Sequence, residues 1–439
     1  MPRYIYYNGR VTALPPHNPI YNAWREPLLW DLIPGAFRWW LRHRSRVSGT
    51  FPSHDVSVAD YVRSASGGSE PLVNILSAGL HGIWGGDVER LSAMSVFSWL
   101  FHSSAMAATR AGVVGRRLSE ELWRRRFLSE AEGVADFEGV KPAVMTFGRH
   151  GMESLPLSLE YMLKSAPNVE IRLGSPVKRI SYLEGVKKAQ IETATGQVEP
   201  YDKVISTLPA QHLAKLIPAN QALPALADFH SVSIMAVNIW YPYADLIPPG
   251  LGYLIPRSCP REENPERALG VFFDSNLLVE QTAREGGTKV YVLLGGHYYD
   301  DPDTPIPDEA QAVEQAKALL ERHLGIPRDT PCEARAALKR DCLPQHFVGH
   351  HALVSEASDQ IARQFGGTLA VAGGSYDRPG VTGALRSGHD IADKLAREDW
   401  KTTGLEELTE ERVTNPLYPL KGPKAVLDYV SLITSSKDD

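Results

Sequence analysis

The chain has 439 residues, 43% hydrophobic and 22% charged, which is globular composition and enough length for two domains with a large core. A net charge of -6 gives no general pull towards nucleic acid or an anionic membrane, so any basic surface must be local. Three widely spaced cysteines, Cys259, Cys332 and Cys342, form no CxxC pair and point to neither a disulfide framework nor a zinc site.

No stretch has the ~18 consecutive apolar residues of a membrane span. Residues 1–10 lack the charged and apolar regions of a signal peptide, and no transit peptide is visible. The opening string Arg3-Tyr4-Ile5-Tyr6-Tyr7-Asn8-Gly9-Arg10-Val11 has two alternating runs about a turn and predicts a hairpin within a larger sheet. A dinucleotide-binding enzyme would begin instead with a strand, GxGxxG and a helix, because a pyrophosphate needs close backbone approach. The nearest string, Gly250-Leu251-Gly252, lacks the third glycine and follows Pro248-Pro249, a turn signal.

Residues 14–49 are rich in proline and tryptophan. Trp24, Trp30, Trp39 and Trp40 beside Arg38, Arg42, Arg44 and Arg46 suit an interfacial amphipathic patch, or equally short proline-capped helices packed on a neighbouring domain. Residues 57–126 are predicted helical, with one helix after Ser57 and a second over 71–80. The glycines of His81-Gly82-Ile83-Trp84-Gly85-Gly86 imply close backbone approach, to a packed helix or to a flat ligand. Gly82 equally suits a helix end. Further on, Trp123 among Arg124, Arg125 and Arg126 reads as a solvated helix face, with membrane contact as the second reading.

From 145 the chain is β-rich. Residues 169–180 alternate as a half-buried strand does, with Val177 after a Ser-Pro turn, and 203–209 predict a buried strand ended by Pro209. Strands over 231–240, 250–256, 269–274 and 289–296 form a second sheet, followed by a helix over 310–324. On composition alone Leu251, Leu254 and Leu293 are core residues. His346, His350 and His351 make no metal site, since Pro344 and Gly349 oppose a helix and no acidic neighbour completes a ligand set. No nucleophile–base pair or carboxylate dyad is present.

Leu369-Ala370-Val371-Ala372 predicts a buried strand, Gly373-Gly374 a sharp turn, and Val381, Ala384, Leu385, Gly388, Ile391, Ala392 and Leu395 a helix beginning near Pro379-Gly380. Its free amides and positive dipole end suit a phosphate or the electron-rich edge of a reduced flavin ring. By pattern alone this is also an ordinary strand–helix corner.

The residue string AGGSYDRPGVTGALRSGHDIADKL resembles the C-terminal flavin-contacting segment of the protoporphyrinogen oxidases, in the flavin-containing amine oxidase superfamily. The hairpin at Arg3, HGIWGGDVERLS, GLGYLIP, LGVFFDS, VYVLLGG and DCLPQHFVGH resemble further segments of that family. Together they span residues 3–395.

The resemblance implies mixed α+β and α/β character: an FAD-linked amine-oxidase-like fold with a truncated Rossmann-type domain, a β-sheet substrate domain and a helical membrane-associating domain. The expected division is a substrate-domain hairpin and Trp-rich linker over 1–56 and a helical membrane and substrate domain over 57–143. Part of the FAD domain follows over 144–222, then the substrate-binding sheet over 223–335, the FAD-contacting segment over 336–397 and a tail over 398–439. By resemblance, Arg3 holds a substrate propionate and Gly82, Leu251, Leu254 and Leu293 line the tetrapyrrole cavity. Val177 meets the adenine through its backbone, and Leu338, Arg378, Pro379, Gly380 and Val381 lie against the flavin. Arg378-Pro379 replaces a Gly-aliphatic pair of the family. No side chain is required as a catalytic group, because flavin accepts the hydride.

The implied reaction is the FAD-dependent, six-electron oxidation of protoporphyrinogen IX to protoporphyrin IX with O2, in heme biosynthesis. The implied setting is peripheral contact with the mitochondrial inner membrane, with a second copy of the chain and ferrochelatase as partners and no nucleic acid. Two other readings stay open: a porphyrin carrier without activity, and an amine-oxidase-like flavoenzyme acting on a polyamine or carotenoid. Apolar Leu251, Leu254 and Leu293 speak against a polyamine.

Overall fold

The structure, a computed structural model, describes residues 2–14, 27–44, 54–97, 151–277, 286–377, 379–397 and 399–409. The chain divides into two compact units. The first holds residues 1–91, 135–176 and 230–348, and the second 92–134, 177–229 and 349–439.

The first unit is built on a seven-stranded sheet. Its strands are β1 (Arg3–Tyr7), β2 (Arg10–Leu14), β7 (His230–Tyr241), β8 (Gly252–Leu254), β9 (Ala268–Phe272), β10 (Thr288–Gly295) and β11 (Glu333–Gln345). They lie in the order β11-β7-β10-β9-β8-β1-β2, all antiparallel except the β1–β8 pair. Alternation sorts their side chains onto two faces. One face, with Tyr4, Tyr6, Met235, Val237, Val290 and Val292, forms the core with Ala312, Ala316, Leu319 and Leu320 of the helix Glu309–Leu324. That helix starts in a capping box between Asp308 and Gln311. On the other face Ile5 and Leu254 pack with Leu28 of the helix Pro27–Arg44 and Ala78 of the helix Glu70–Ile83.

The second unit contains β6 (Val204–Ser206) and β12 (Leu369–Val371), paired parallel. It also contains an antiparallel sheet of β3 (Val177–Leu183), β4 (Lys188–Thr193) and β5 (Val198–Tyr201). Leu213, Leu226, Val354, Ile361, Phe365 and Tyr376 are buried between them and the helices Ala210–Leu216 and His350–Phe365.

The hairpin, the four strands of the second sheet, the helix after them and the strand–turn–helix near the C-terminus stand where the sequence places them. Residues 169–173 do not: they form an exposed loop, and the strand begins only at Val177. Alternation satisfies the side-chain rule, but a strand also needs a ladder partner, and among the described residues nothing pairs with this segment. The Pro/Trp-rich stretch includes one helix of 18 residues with Pro34 inside it, in place of short capped ones. Residues 399–409, read as tail, fold into the second unit, with Leu405 fully buried. Arg42, Arg44, Arg46, Trp24 and Trp123 to Arg126 lie outside the residues whose side chains are described.

Candidate functional site

Each unit carries candidate residues. In the first, strand register aligns Ala337, Ala236, Leu293, Gly270, Leu254 and Ile5 in one row across the sheet, on the face away from the Glu309–Leu324 helix. The next row holds Arg335, Asn238, Tyr291, Phe272 and Gly252. Small residues keep this floor low between Leu254 and Leu293. A Cβ on Gly270 would lie 2.7 Å from both Leu254 Cδ2 and the Tyr253 carbonyl.

Arg3 precedes the Tyr4–Tyr253 pair, so it stands beside Gly252 on this same face, exposed and without an ion-pair partner among the described residues. Gly82 ends its helix against Leu254, whose Cδ1 and Cδ2 would each be 3.0 Å from an added Cβ. Leu251 sits at the Arg3 end, its N–H donating to the Pro2 carbonyl at 2.9 Å and its own carbonyl accepting from Phe273 N–H at 3.0 Å. The structure therefore gathers Arg3, Gly82, Leu254 and Leu293 around one half-buried sheet face, with the Leu251 backbone tied at its Arg3 end.

The sequence reading missed a histidine pair beside Gly82. His81 Nδ1 donates to the Ile255 carbonyl at 2.7 Å, which leaves its Nε2 bare to accept from His297 Nε2 at 3.0 Å. The His297 backbone N–H also donates to the Gly85 carbonyl at 2.8 Å, so the turn after β10 grips the helix end twice. Burial pushes the His81 pKa down to about 4. Burial, then His81 itself and nearby arginines, brings His297 to about 3. Gln345 Nε2 donates to the Trp84 carbonyl at 2.7 Å, and Trp84 meets the His346 ring edge-on at 4.9 Å. His346 thus serves as a packing partner.

In the second unit, β12 leads through Gly373 to the helix Val381–Ala396. Gly380 adopts φ 103, a conformation side chains resist, and no side chain caps the helix behind it. No acidic residue occupies the first turn, and none of the described residues lies within 4 Å of where a Gly380 Cβ would be. The turn's base is fixed: Gly373 N–H donates to Ser387 Oγ at 3.1 Å, Ala210 N–H to Ser375 Oγ at 3.2 Å, and His350 Nε2 to the Tyr376 carbonyl at 3.0 Å.

An uncapped helix start with open space above it fits the electron-rich edge of a flavin ring. Pro379, Gly380 and Val381 are the residues that would meet it. Among the described residues one other glycine with positive φ leads from a strand into an α-helix: Gly349, at φ 89, between β11 and the helix His350–Phe365. Val177 begins β3 in this unit, paired with Thr193. Leu338 belongs to the first unit, pairing with Met235 and packing against that unit's core. Arg378 is outside the described residues.

The sequence profile of the flavin containing amine oxidoreductases matches residues 48–396. A protoporphyrinogen oxidase of Schizosaccharomyces pombe is 29% identical, over 90% of this chain and 78% of its own. The human protoporphyrinogen oxidase is 27% identical, over 89% of this chain and 78% of its own. Among solved structures, reduced UDP-galactopyranose mutase superposes with a TM-score of 0.61 at 13% identity, covering 94% of this chain and 82% of that one. The shared architecture is thus a flavoenzyme fold.

Proposed function

The chain belongs to the flavin containing amine oxidoreductase family, and from that premise we propose that it oxidises protoporphyrinogen IX to protoporphyrin IX, with FAD as the flavin and O2 as terminal acceptor. The observation that carries this reading is the low sheet floor bounded by Leu254, Leu293 and Gly82 with the unpaired Arg3 at its margin. A flat apolar macrocycle with carboxylates at its edge needs such a surface. When bound, FAD would supply a hydride acceptor that O2 reoxidises. Three hydrides and three protons leaving the macrocycle make up the six-electron change, balanced by three O2 reduced to three H2O2.

The protein's own share is binding and orientation. Arg3 pairs with a propionate through two parallel N–H···O bonds. Gly82, Leu254 and Leu293 hold the ring by shape and keep water from its face. In the second unit, the amides at the uncapped start of the Val381–Ala396 helix would hold negative charge on a bound flavin ring.

The helix Pro27–Arg44 exposes Trp30, Ile33, Phe37, Trp40 and Leu41 at helical spacing. We infer that this stripe rests on a lipid surface, which on the family resemblance is the mitochondrial inner membrane. A second copy and ferrochelatase as partners rest on that resemblance alone. Purified chain given FAD, O2 and protoporphyrinogen IX should develop porphyrin fluorescence and consume three O2 per porphyrin. No catalysed rise at saturating FAD refutes the proposal.

A further inference from the structure

A half-buried carboxylate lies beside the floor. Phe273 packs in the core, so alternation turns Phe272 and Asp274 to the open face of the sheet. Val290 in the core does the same for its neighbours Lys289 and Tyr291. The Lys289 ammonium meets Asp274 Oδ2 at 3.4 Å, which fixes the carboxylate on that face beside β10. Tyr291 pairs with Phe272, and both stand between Asp274 and the row of Leu293 and Gly270. The backbone around Asp274 is tied down. Phe273 N–H donates to the Leu251 carbonyl at 3.0 Å, and Asn276 Nδ2 donates to the Pro248 carbonyl at 2.9 Å and the Gly250 carbonyl at 3.3 Å.

The charged company of Asp274 is sparse among the described residues. Lys289 and Tyr291 face it from β10, and Arg3 stands beyond β8. Glu333 and Arg335 lie on β11, two strands past β10, with Glu333 exposed and level with Lys289 through Trp240. The Asp274 side chain is only 18% exposed. Burial raises its carboxyl above the usual 3.8, with the Lys289 charge opposing the rise. Burial, followed by the Asp274 charge, raises Tyr291 as well. On the histidines beside Gly82 burial acts with the opposite sign: at about 4 and about 3, His81 and His297 hold no extra proton near neutrality. The carboxylate is the better proton acceptor of the two sites.

We propose that Asp274 is the catalytic base of the oxidation, its carboxylate taking the pyrrole N–H proton that each loss of hydride makes acidic. The inference rests on the reading that a porphyrinogen is oxidised on this face. Loss of hydride from a methylene bridge leaves the adjoining pyrrole cationic, and a fixed carboxylate in a half-buried site favours that charge before it takes the proton. In the transfer the N–H bond breaks, its electron pair stays on nitrogen, and an O–H bond forms at Asp274. The proton then passes to water, because the Lys289 ammonium beside a neutral acid favours return of the carboxylate.

The test is the pH dependence of turnover in the full chain loaded with FAD, set against binding of protoporphyrin IX by fluorescence quenching, which needs no oxidation. Asp274→Asn should lower kcat about 100-fold or more while changing porphyrin affinity less than about threefold. In the unmodified chain kcat should fall on acidification through one ionisation above the ordinary carboxyl value of 3.8. The Asn variant should lose that limb, and Asp274→Glu should restore turnover in part with the limb displaced. Glu333→Gln, at the exposed end of the Lys289 row, should leave the limb in place. An Asn variant that keeps its kcat and its acid limb overturns the base while leaving protoporphyrinogen oxidation standing, and so does a loss of porphyrin binding in step with kcat. Should the Asn variant fail to fold, an unmoved limb in Asp274→Glu overturns the base and a displaced one supports it. Absence of turnover by the unmodified chain at saturating FAD overturns both.

Discussion

His81 and His297 meet Nε2 to Nε2 at 3.0 Å although 216 residues of chain separate them. Only one of those two nitrogens can carry the shared proton. A further proton sets donor against donor beneath the end of the Gly82 helix.

Acid sensitivity follows from that pair. An unfolded histidine takes up a proton near pH 6.5, whereas burial holds His81 neutral to about 4 and His297 to about 3. The folded state therefore binds fewer protons between those values. Its stability should be complete above about pH 6.5 and fall with pH below that, by up to roughly 1.4 kcal/mol per pH unit for each histidine. Urea midpoints measured from pH 7.5 to 4.5 check this, and His297→Gln should flatten the slope. An equal slope in the variant would contradict it.

Gly270→Val should damage both fold and floor. Its first added carbon meets Leu254 Cδ2 and the Tyr253 carbonyl at 2.7 Å, and backbone cannot give way as a side chain does. We expect a loss of about 1–3 kcal/mol in unfolding free energy, together with a raised KM for the porphyrinogen. Gly82→Ala is the milder companion, since only the flexible end of Leu254 opposes it.

Trp30→Glu with Phe37→Glu should abolish sedimentation with vesicles containing anionic lipid. Trp30 is 47% and Phe37 56% exposed, so neither change costs core packing, and each lost ring should weaken partitioning about tenfold. Vesicle binding equal to that of the unmodified chain would remove this helix from the membrane contact.

Glu406 ties down the chain after the helix Val381–Ala396. Burial pushes its carboxyl up, but hydrogen bonds from Lys394 at 2.7 Å and Thr403 N–H at 2.5 Å outweigh this and bring the pKa down to about 2. The group's contribution is present above the unfolded carboxylate value near 4.5 and is lost as pH falls through 2. Glu406→Gln should cost about 1–2 kcal/mol at pH 7, readable as a lower melting temperature, and the cost should shrink at pH 3.

The parts legible in the sequence were those whose signal is local. Asn8-Gly9 between alternating runs marks a hairpin, and Leu369 to Val381 spells strand, turn and helix in order. β11 was not legible: its open face carries Glu333, Arg335 and Lys339, as an edge strand does, so apolar alternation is weak. The helix His350–Phe365 also went unread, because its buried side, Val354, Ala357, Ile361 and Phe365, is sparse. The residues of the floor could be named singly from resemblance. Their alignment in one row depends on register between strands far apart in sequence, and the His81–His297 contact has no spacing that could announce it.

Lys203 clasps three backbone carbonyls, of Gly367 at 2.8 Å, Trp400 at 3.0 Å and Thr402 at 2.6 Å, while Val371 N–H donates to the Thr403 carbonyl at 2.9 Å. β12 therefore has hydrogen-bonded chain on both flanks, β6 on one and residue 403 on the other. Its amides should be among the slowest in the second unit to exchange with deuterium, and those after Gly380 among the fastest. The strand that feeds the helix start is a stiff stalk beneath a compliant tip, so a planar ring arriving there finds its aim already set and only the last contact left to adjust.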